Sequence, residues 1–309
     1  MNLDLIINLF FSIINILPIY LIASLGGYLS QRVGVYDVSM EGNMTLGCVL
    51  GIIGYVLTKS PWVGMLFGFL GGCAVGLILA TFTTKLNLNQ IITGFGLWFF
   101  CTGLSSFLYK IYVPSDQLTK AFPTLAELFG FHGELNGLLR FLELDIIFYL
   151  SILLLLSVSF VVYHTKLGIF MRAVGENPDV VDAAGINVFK IRYFSILIGT
   201  GVVGLAGSYL SIDFLQGYTH GMVAGRGWIA FAIIIFSKWK PLNILWGCLL
   251  FAGVNGLQIR FQTIGIQLSS EFLTALPYIV TIVVLAMTMR GGKNSRMAPS
   301  ALGKPYFRE

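Results

Sequence analysis

Charge is the scarcest commodity in this chain. Of its 309 residues only 11% are Asp, Glu, Lys or Arg, where soluble domains carry about 25%, and 56% are hydrophobic, with a mean hydropathy of +0.85. A water-soluble globular domain is excluded, and an all-α polytopic membrane protein remains. Cysteine is sparse as well. Cys48, Cys73, Cys101 and Cys248 lie in apolar runs without a CxxC pair, which points to neither a disulfide framework nor a zinc site and leaves them as small packing residues. A phosphate loop of the form GxxxxGK followed by Ser or Thr is absent. The nearest stretch, Gly291-Gly292-Lys293-Asn294, lacks the first glycine and the hydroxyl, so the chain cannot hydrolyse ATP by itself. No nucleophile stands near a base at workable spacing, His220 has no second histidine at metal spacing, and neither metal nor cofactor is assigned. The net charge of +5 does not imply nucleic acid, because the basic residues are scattered between apolar runs and at the tail, as membrane orientation produces.

What is present is a series of apolar runs, each to be weighed against the roughly 20 residues a helix needs to cross a bilayer. Nine candidates appear: Leu5–Leu29, Val33–Leu57, Pro61–Thr83, Ile91–Val113, Leu144–Tyr163, Tyr193–Ile212, Trp228–Ser237, Pro241–Leu257 and Phe272–Met289. The seventh is short. It is either a half-helix or merges across Trp239 with the eighth. The first is too long, and too poor in preceding basic residues, for a signal peptide. With the C-terminus inside, 13 of the 19 Lys and Arg fall on the inner side and six (Lys59, Lys110, Lys120, Arg140, Arg226 and Arg260) on the outer. This predicts a cytoplasmic tail over residues 290–309 and an external N-terminus. The whole chain reads as one transmembrane domain, 1–309.

The one long polar interruption of the C-terminal half, RAVGENPDVVDAAGI (Arg172 to Ile186), lies in an inner connection over 164–192. Asn177 can cap a helix, Pro178 fits its first position and Gly185 can close it in the left-handed region. Two turns are too few to stand alone in water, so this helix needs something to pack on. On the outer side, Pro114 to Glu143 reads as a polar loop with a short helix near Leu125 to Phe129. It is either a solvated cap or a contact for an external delivery protein.

Glycines Gly64, Gly68, Gly72 and Gly76 recur every fourth residue and make one face where a neighbouring helix can approach closely. Two literal nucleotide-binding patterns, Gly199/Gly201/Gly204 and Gly225/Gly227/Ala230, follow no soluble strand and are products of a glycine-rich membrane chain. The second span carries Asp37, Glu41 and Asn43. As a regular helix it would set two like charges four apart on one face. A broken segment lining water or protein is one reading, and pairing with Arg32 or solvent at the inner interface is the other. The fourth span opens with Asn89 and Gln90 and continues to Trp98, suited to a sugar or base or to hydrogen bonds between helices. Arg226 stands at the mouth of the half-length segment, facing an anionic group or a loop carboxylate.

Three stretches together resemble a known family. VGENPDVVDAAGINVFKIRY is similar to the cytoplasmic coupling segment of permease subunits in bacterial ABC importers of the ribose and nucleoside class, matching at Gly175, Glu176, Asn177, Pro178, Ala183, Gly185, Ile186 and Asn187. GVYDVSMEGNM resembles the family's early motif at Gly34, Val35, Glu41, Gly42 and Met44, and GRGWIAFAIIIFSKWKP its late one, ending in Pro241. Asp37 and Ser237 depart from it, where Asn and Gly are usual.

The resemblance implies a permease half that pairs with itself or with a second permease subunit. The length is more like the smaller permease of a nucleoside importer pair, which favours a heterodimer in a bacterial cytoplasmic membrane. It further implies ABC ATPase subunits beneath and an extracytoplasmic binding protein that delivers a nucleoside or related polar solute, simple sugars and flavin being the alternatives. In that scheme the ATPase grips Pro178 to Ala184 through Glu176, Asp179 and Asp182, with apolar contact from Val180, Val181 and Ala183 and closure of the helix by Ala184, Gly185 and Ile186. An ion-coupled secondary transporter is the competing class, supported by Asp37 and Glu41 alone.

Overall fold

The computed structural model describes residues 3–113, 118–130, 141–263, 270–289 and 298–307. The parts of the 114–143 loop and of the 290–309 tail outside these ranges carry Asp116, Glu134, Arg140 and the Gly291–Asn294 stretch, which lie outside the described residues. Among the described residues the chain is all-helical: α1 (Leu3–Arg32), α2 (Met40–Thr58), α3 (Pro61–Ala80), α4 (Gln90–Tyr112), α5 (Leu125–Leu128), α6 (Ile146–His164), α7 (Lys166–Glu176), α8 (Pro178–Ala183), α9 (Val188–Tyr209), α10 (Arg226–Phe236), α11 (Pro241–Thr263) and α12 (Ser270–Met289). Among the described residues six helices are long and apolar enough to cross a membrane: α1, α2, α3 with its π-helical last turn, α4, α6, and α9 with its own π-helical turn, Leu210–Phe214.

The bundle is built around α9, which packs on α1, α2 and α3. Small residues set those crossings. A Cβ added at Gly72 would collide with the Thr200 carbonyl, at Gly68 with Ser208 and at Gly64 with Ile212, while Gly76 abuts the Thr200 hydroxyl. The α3 stripe therefore lies along α9. From the α9 side, Gly199 meets α1 at Gly26, Gly201 meets Phe69 and Cys73, and Gly204 meets Gly68 and Gly72. The GxGxxG pattern is thus a set of helix crossings. Close approach of backbones gains dispersion contacts that bulkier side chains would forbid, and in lipid this is a main source of helix association.

Two expected spans differ in detail. Val33–Leu57 is not one helix: α2 begins only at Met40, and residues 35–37 before it have no regular secondary structure. Residues 228–257 do not form one continuous helix, since α10 ends at Phe236 and α11 starts at Pro241. Between them Lys238 and Trp239 both take positive φ, 55° and 52°. This turn is held by Trp239 Nε1 donating to Gln31 Oε1 at 2.9 Å, so α10 is a half-length helix of 11 residues. The helical content of 164–192 also exceeds one short helix, because α7 precedes α8 and buries Gly168, Met171, Val174 and Gly175 along one face.

Candidate functional site

The α1–α2 connection climbs into the bundle beside α4. Tyr36 N donates to Gln90 Oε1 at 2.8 Å, a Cβ at Gly94 would strike Val38, and one at Gly42 would strike the Trp98 backbone. One turn of α4 after another thus meets the connection and then the first turn of α2. The N-terminus of α2 consequently lies inside the protein, and Glu41 with it, only 8% exposed.

Facing Glu41 is the N-terminus of α10. Glu41 Oε1 accepts from Gly225 N at 2.8 Å and Oε2 from Gly227 N at 2.7 Å, and the Trp228 N–H also bonds this carboxylate. Those N–H groups have no partner inside their own helix, and the helix dipole adds partial positive charge where the carboxylate sits. Glycine is needed at 227 for proximity, since a Cβ would lie 2.5 Å from Glu41 Cα. Arg226 is close enough to interact electrostatically with Glu41, while its Nη1 donates to the carbonyls of Met222 and Val223 at 2.9 and 3.1 Å. The depth follows from α1: Ser24 Oγ donates to the Ala230 carbonyl at 3.2 Å, and Ser24 is about 12 Å along the helix from Arg32 at 1.5 Å per residue. Two helix N-termini therefore meet at one carboxylate well inside the bundle.

An aromatic cluster adjoins this junction. The Trp228 ring stands edge-on to Trp98 at 5.3 Å and lies 5.7 Å from Phe95, and Trp98 stacks on Phe99 at 4.7 Å. The faces of such rings suit planar or apolar solute surfaces.

The other residues singled out in the sequence divide. Asp37 is fully buried before α2, not on a shared helical face with Glu41, and its Oδ1 accepts from Ser39 N at 3.2 Å and Ser39 Oγ at 2.6 Å. Arg32 pairs with neither acid; its Nη1 lies 3.8 Å from Glu176 Oε1. Asn43 Nδ2 donates to the Thr200 carbonyl at 2.8 Å, a bond between α2 and α9. Asn89 caps α4 by accepting from Ile91 N and Ile92 N at 3.0 and 3.2 Å. Gln90 also donates from Nε2 to the carbonyls of Gly34 and Lys304, both at 3.4 Å. Glu41 and Trp98 share one neighbourhood; Asp37 and Gln90 belong to the connection leading to it, and Asn43 and Asn89 serve helix packing and capping. Trp228, Gly225 and Gly227 were missed as site residues. Their signal was the half-length run itself, whose free N-terminus needs an acceptor.

At one end of the bundle sits α8. Asn177 Oδ1 accepts from Val180 N at 3.3 Å, Pro178 takes the first position, and Gly185 has φ +80° with its N–H on the Asp182 carbonyl at 2.8 Å. Val181 is buried and pins the helix, while Asp179, Ala183 and Val180, the last 63% exposed, face outward.

The opposite end of α9 carries a carboxyl pair. Asp213 Oδ1 accepts from Phe122 N at 2.6 Å and fastens the 118–130 segment. Asp145, just ahead of the α6 span, hydrogen-bonds Asp213. Burial first, and the Asp213 charge second, push the Asp145 carboxyl up to about 7.

A multi-pass helical bundle with a buried junction of two helix N-termini and a short exposed helix at one end fits a membrane protein of the permease class. Residues 9–289 match the family described as branched-chain amino acid transport system / permease component, and the chain belongs to that family of ABC-transporter permeases. NupC of Lactococcus lactis subsp. cremoris, a nucleoside ABC transporter permease protein, is 30% identical over 92% of each chain. NupQ of Bacillus subtilis, a guanosine ABC transporter permease protein, is 28% identical over 93% of this chain and 92% of its own. TsgC13 of Haloferax volcanii, provisionally named a glucose ABC transporter permease protein, is 33% identical over 94% of each. In fold the chain is similar to an ABC transporter provisionally assigned to the metal-chelate type, with a TM-score of 0.54 and 16% identity over 91% of this chain and 86% of that one.

Proposed function

We propose that this permease subunit passes a nucleoside, or a related small polar solute such as a simple sugar or a flavin, inward at the expense of ATP hydrolysed by partner subunits. The α8 end faces the cytoplasm, the N-terminus lies outside, and nine segments, the half-length α10 among them, make up the membrane domain. An extracytoplasmic binding protein delivers the solute, a second permease subunit completes the path, and a heterodimer is favoured. The nucleoside and guanosine permeases among the relatives support this choice of solute.

The single observation that carries the reading is α8. It is a capped, glycine-closed helix held by one buried valine, with Asp179 and Val180 exposed on its outer face. A rigid helix so small and so presented is suited to being gripped and moved as a body by an ATPase. Movement of that end would alternate access to the junction around Glu41, Trp98 and Trp228, with Asp37 and Gln90 in the connection that leads there.

The test is uptake by vesicles holding the whole complex, with and without imposed inward proton and sodium gradients. Labelled guanosine, adenosine, ribose, glucose and riboflavin are supplied with the cognate binding protein. ATP-dependent uptake of one of these, indifferent to proton and sodium gradients, is expected; uptake that follows an ion gradient and survives ATP depletion would overturn the assignment. Deleting Pro178 to Ala184 should abolish recovery of the ATPase with the permease while leaving membrane insertion intact.

A further inference from the structure

The described part of the C-terminal tail, residues 298–307, does not leave the protein but crosses its α8 end as a strap. Ser300 Oγ donates to Glu176 Oε2 at 2.9 Å and Ala301 N to the Gly175 carbonyl at 2.9 Å, next to α8. Two residues on, Gly303 N donates to the Gly34 carbonyl at 3.3 Å, and the Lys304 carbonyl accepts from Gln90 Nε2. Tyr306 then turns inward, 3% exposed, with its ring 5.7 Å from Phe189 and 5.7 Å from the Arg192 guanidinium. Arg192 is itself fully buried, and none of its three guanidinium nitrogens makes a hydrogen bond to a described residue. A buried charge without hydrogen bonds is costly, and the Tyr306 ring and the charge of Asp179 both act favourably on it.

The strap touches both parts that a coupled motion must join. One side is fastened to the last residues of α7, from which α8 follows directly. The other is fastened to Gly34 and Gln90, and from Gly34 the chain runs through Tyr36 and Asp37 to Glu41. Beyond the strap, α8 has few contacts that lead inward. It meets α7 and the start of α9.

We propose that residues 299–306 form a transmission strap, in which Tyr306 latched over Arg192 is a positioning residue that makes movement of α8 move the Gly34–Glu41 connection. The strap docks no partner in this role; it keeps two parts of one chain in register. This inference rests on the reading of α8 as the coupling helix, and that reading stands or falls separately on ATPase recovery after deletion of Pro178 to Ala184.

The test uses the whole complex in vesicles with guanosine, or whichever solute of the panel above is taken up, and measures solute imported per ATP hydrolysed. Tyr306→Phe keeps the ring over Arg192 and should lower the ratio less than the two variants that remove it. Tyr306→Leu keeps most of the bulk without the ring, and Tyr306→Ala removes both. Each should lower the ratio at least fivefold while ATPase recovery and basal hydrolysis stay within twofold. Hydrogen exchange supplies a readout independent of transport, because the Tyr36 amide, bonded to Gln90, should exchange at least tenfold faster in the Leu and Ala variants. A parental ratio in Tyr306→Leu and Tyr306→Ala overturns the proposal. So does a loss of uptake matched by equal loss of ATPase recovery, which would make the strap part of a docking surface instead.

Discussion

Both carboxylate oxygens of Glu41 accept backbone N–H groups from the N-terminus of α10, Oε1 from Gly225 and Oε2 from Gly227. An acid deep in an apolar bundle is thereby satisfied by the orphan donors of a helix too short to span, and each solves the other's desolvation problem. The half-length of α10 and the broken start of α2 are two sides of this one contact.

Replacing Glu41 by Gln removes one acceptor and sets an amide NH2 against an N–H donor. A loss of about 1–3 kcal/mol is expected, read as a lower melting temperature in detergent, together with uptake reduced at least fivefold and ATPase recovery unchanged. Parental melting and parental uptake would together remove Glu41 from both roles.

Gly72→Val places a branched side chain where a single Cβ would already collide with the Thr200 carbonyl. Overpacking of this kind costs about 1–3 kcal/mol, and the variant should melt lower and accumulate less in the membrane. Gly103→Val is the control, since a Cβ there meets nothing within 4 Å. Equal melting of the two variants would refute the packing role of the α3 stripe.

Asn177→Ala deletes the cap of α8 and should cost about 0.5–2 kcal/mol of local stability. Gly185→Asp forces a Cβ into φ +80° and should loosen the same helix. Both are expected to weaken ATPase recovery, with Asn177→Asp, which can still cap, close to the parent. Full recovery with Asn177→Ala and Gly185→Asp would mean that the shape of α8 is not what the partner reads.

The Asp145–Asp213 pair makes a pH prediction with a definite sign. An Asp raised from 3.8 to about 7 prefers its proton in the folded state. Its stabilising contribution is fully present below 3.8 and is lost as the pH rises through about 7. Asp145→Asn keeps a donor toward Asp213 without titrating. The melting temperature of the parent minus that of Asp145→Asn should therefore fall steadily between pH 4 and pH 8; a flat difference across that range would show that Asp145 titrates normally.

Much of the helical plan was legible in residue order because membrane helices announce themselves locally, through length and apolar content. The short seventh run and the caps at Asn177 and Gly185 could be read from neighbours in sequence, whereas the break before α2 stood as one of two readings. The partners of the polar residues could not. Asp37 and Glu41 are four apart, yet one is held by Ser39 and the other by the distant N-terminus of α10, because the chain becomes helical only after Asp37. Arg32 was open to pairing with those acids and instead meets Glu176.

Sequence alone determined that this chain is an all-helical membrane protein, that one of its segments is too short to cross, and that a short polar helix interrupts its C-terminal half. Each of these follows from local propensity and from the cost of taking an unbonded backbone into lipid. Tertiary structure alone decided that the acid of α2 would satisfy the N-terminus of α10, that α9 would be the helix against which the glycine stripe closes, and that the tail would fold back over Arg192. Those outcomes depend on which distant groups meet, and a buried charge or an orphan N–H states only that it needs a partner, not which one.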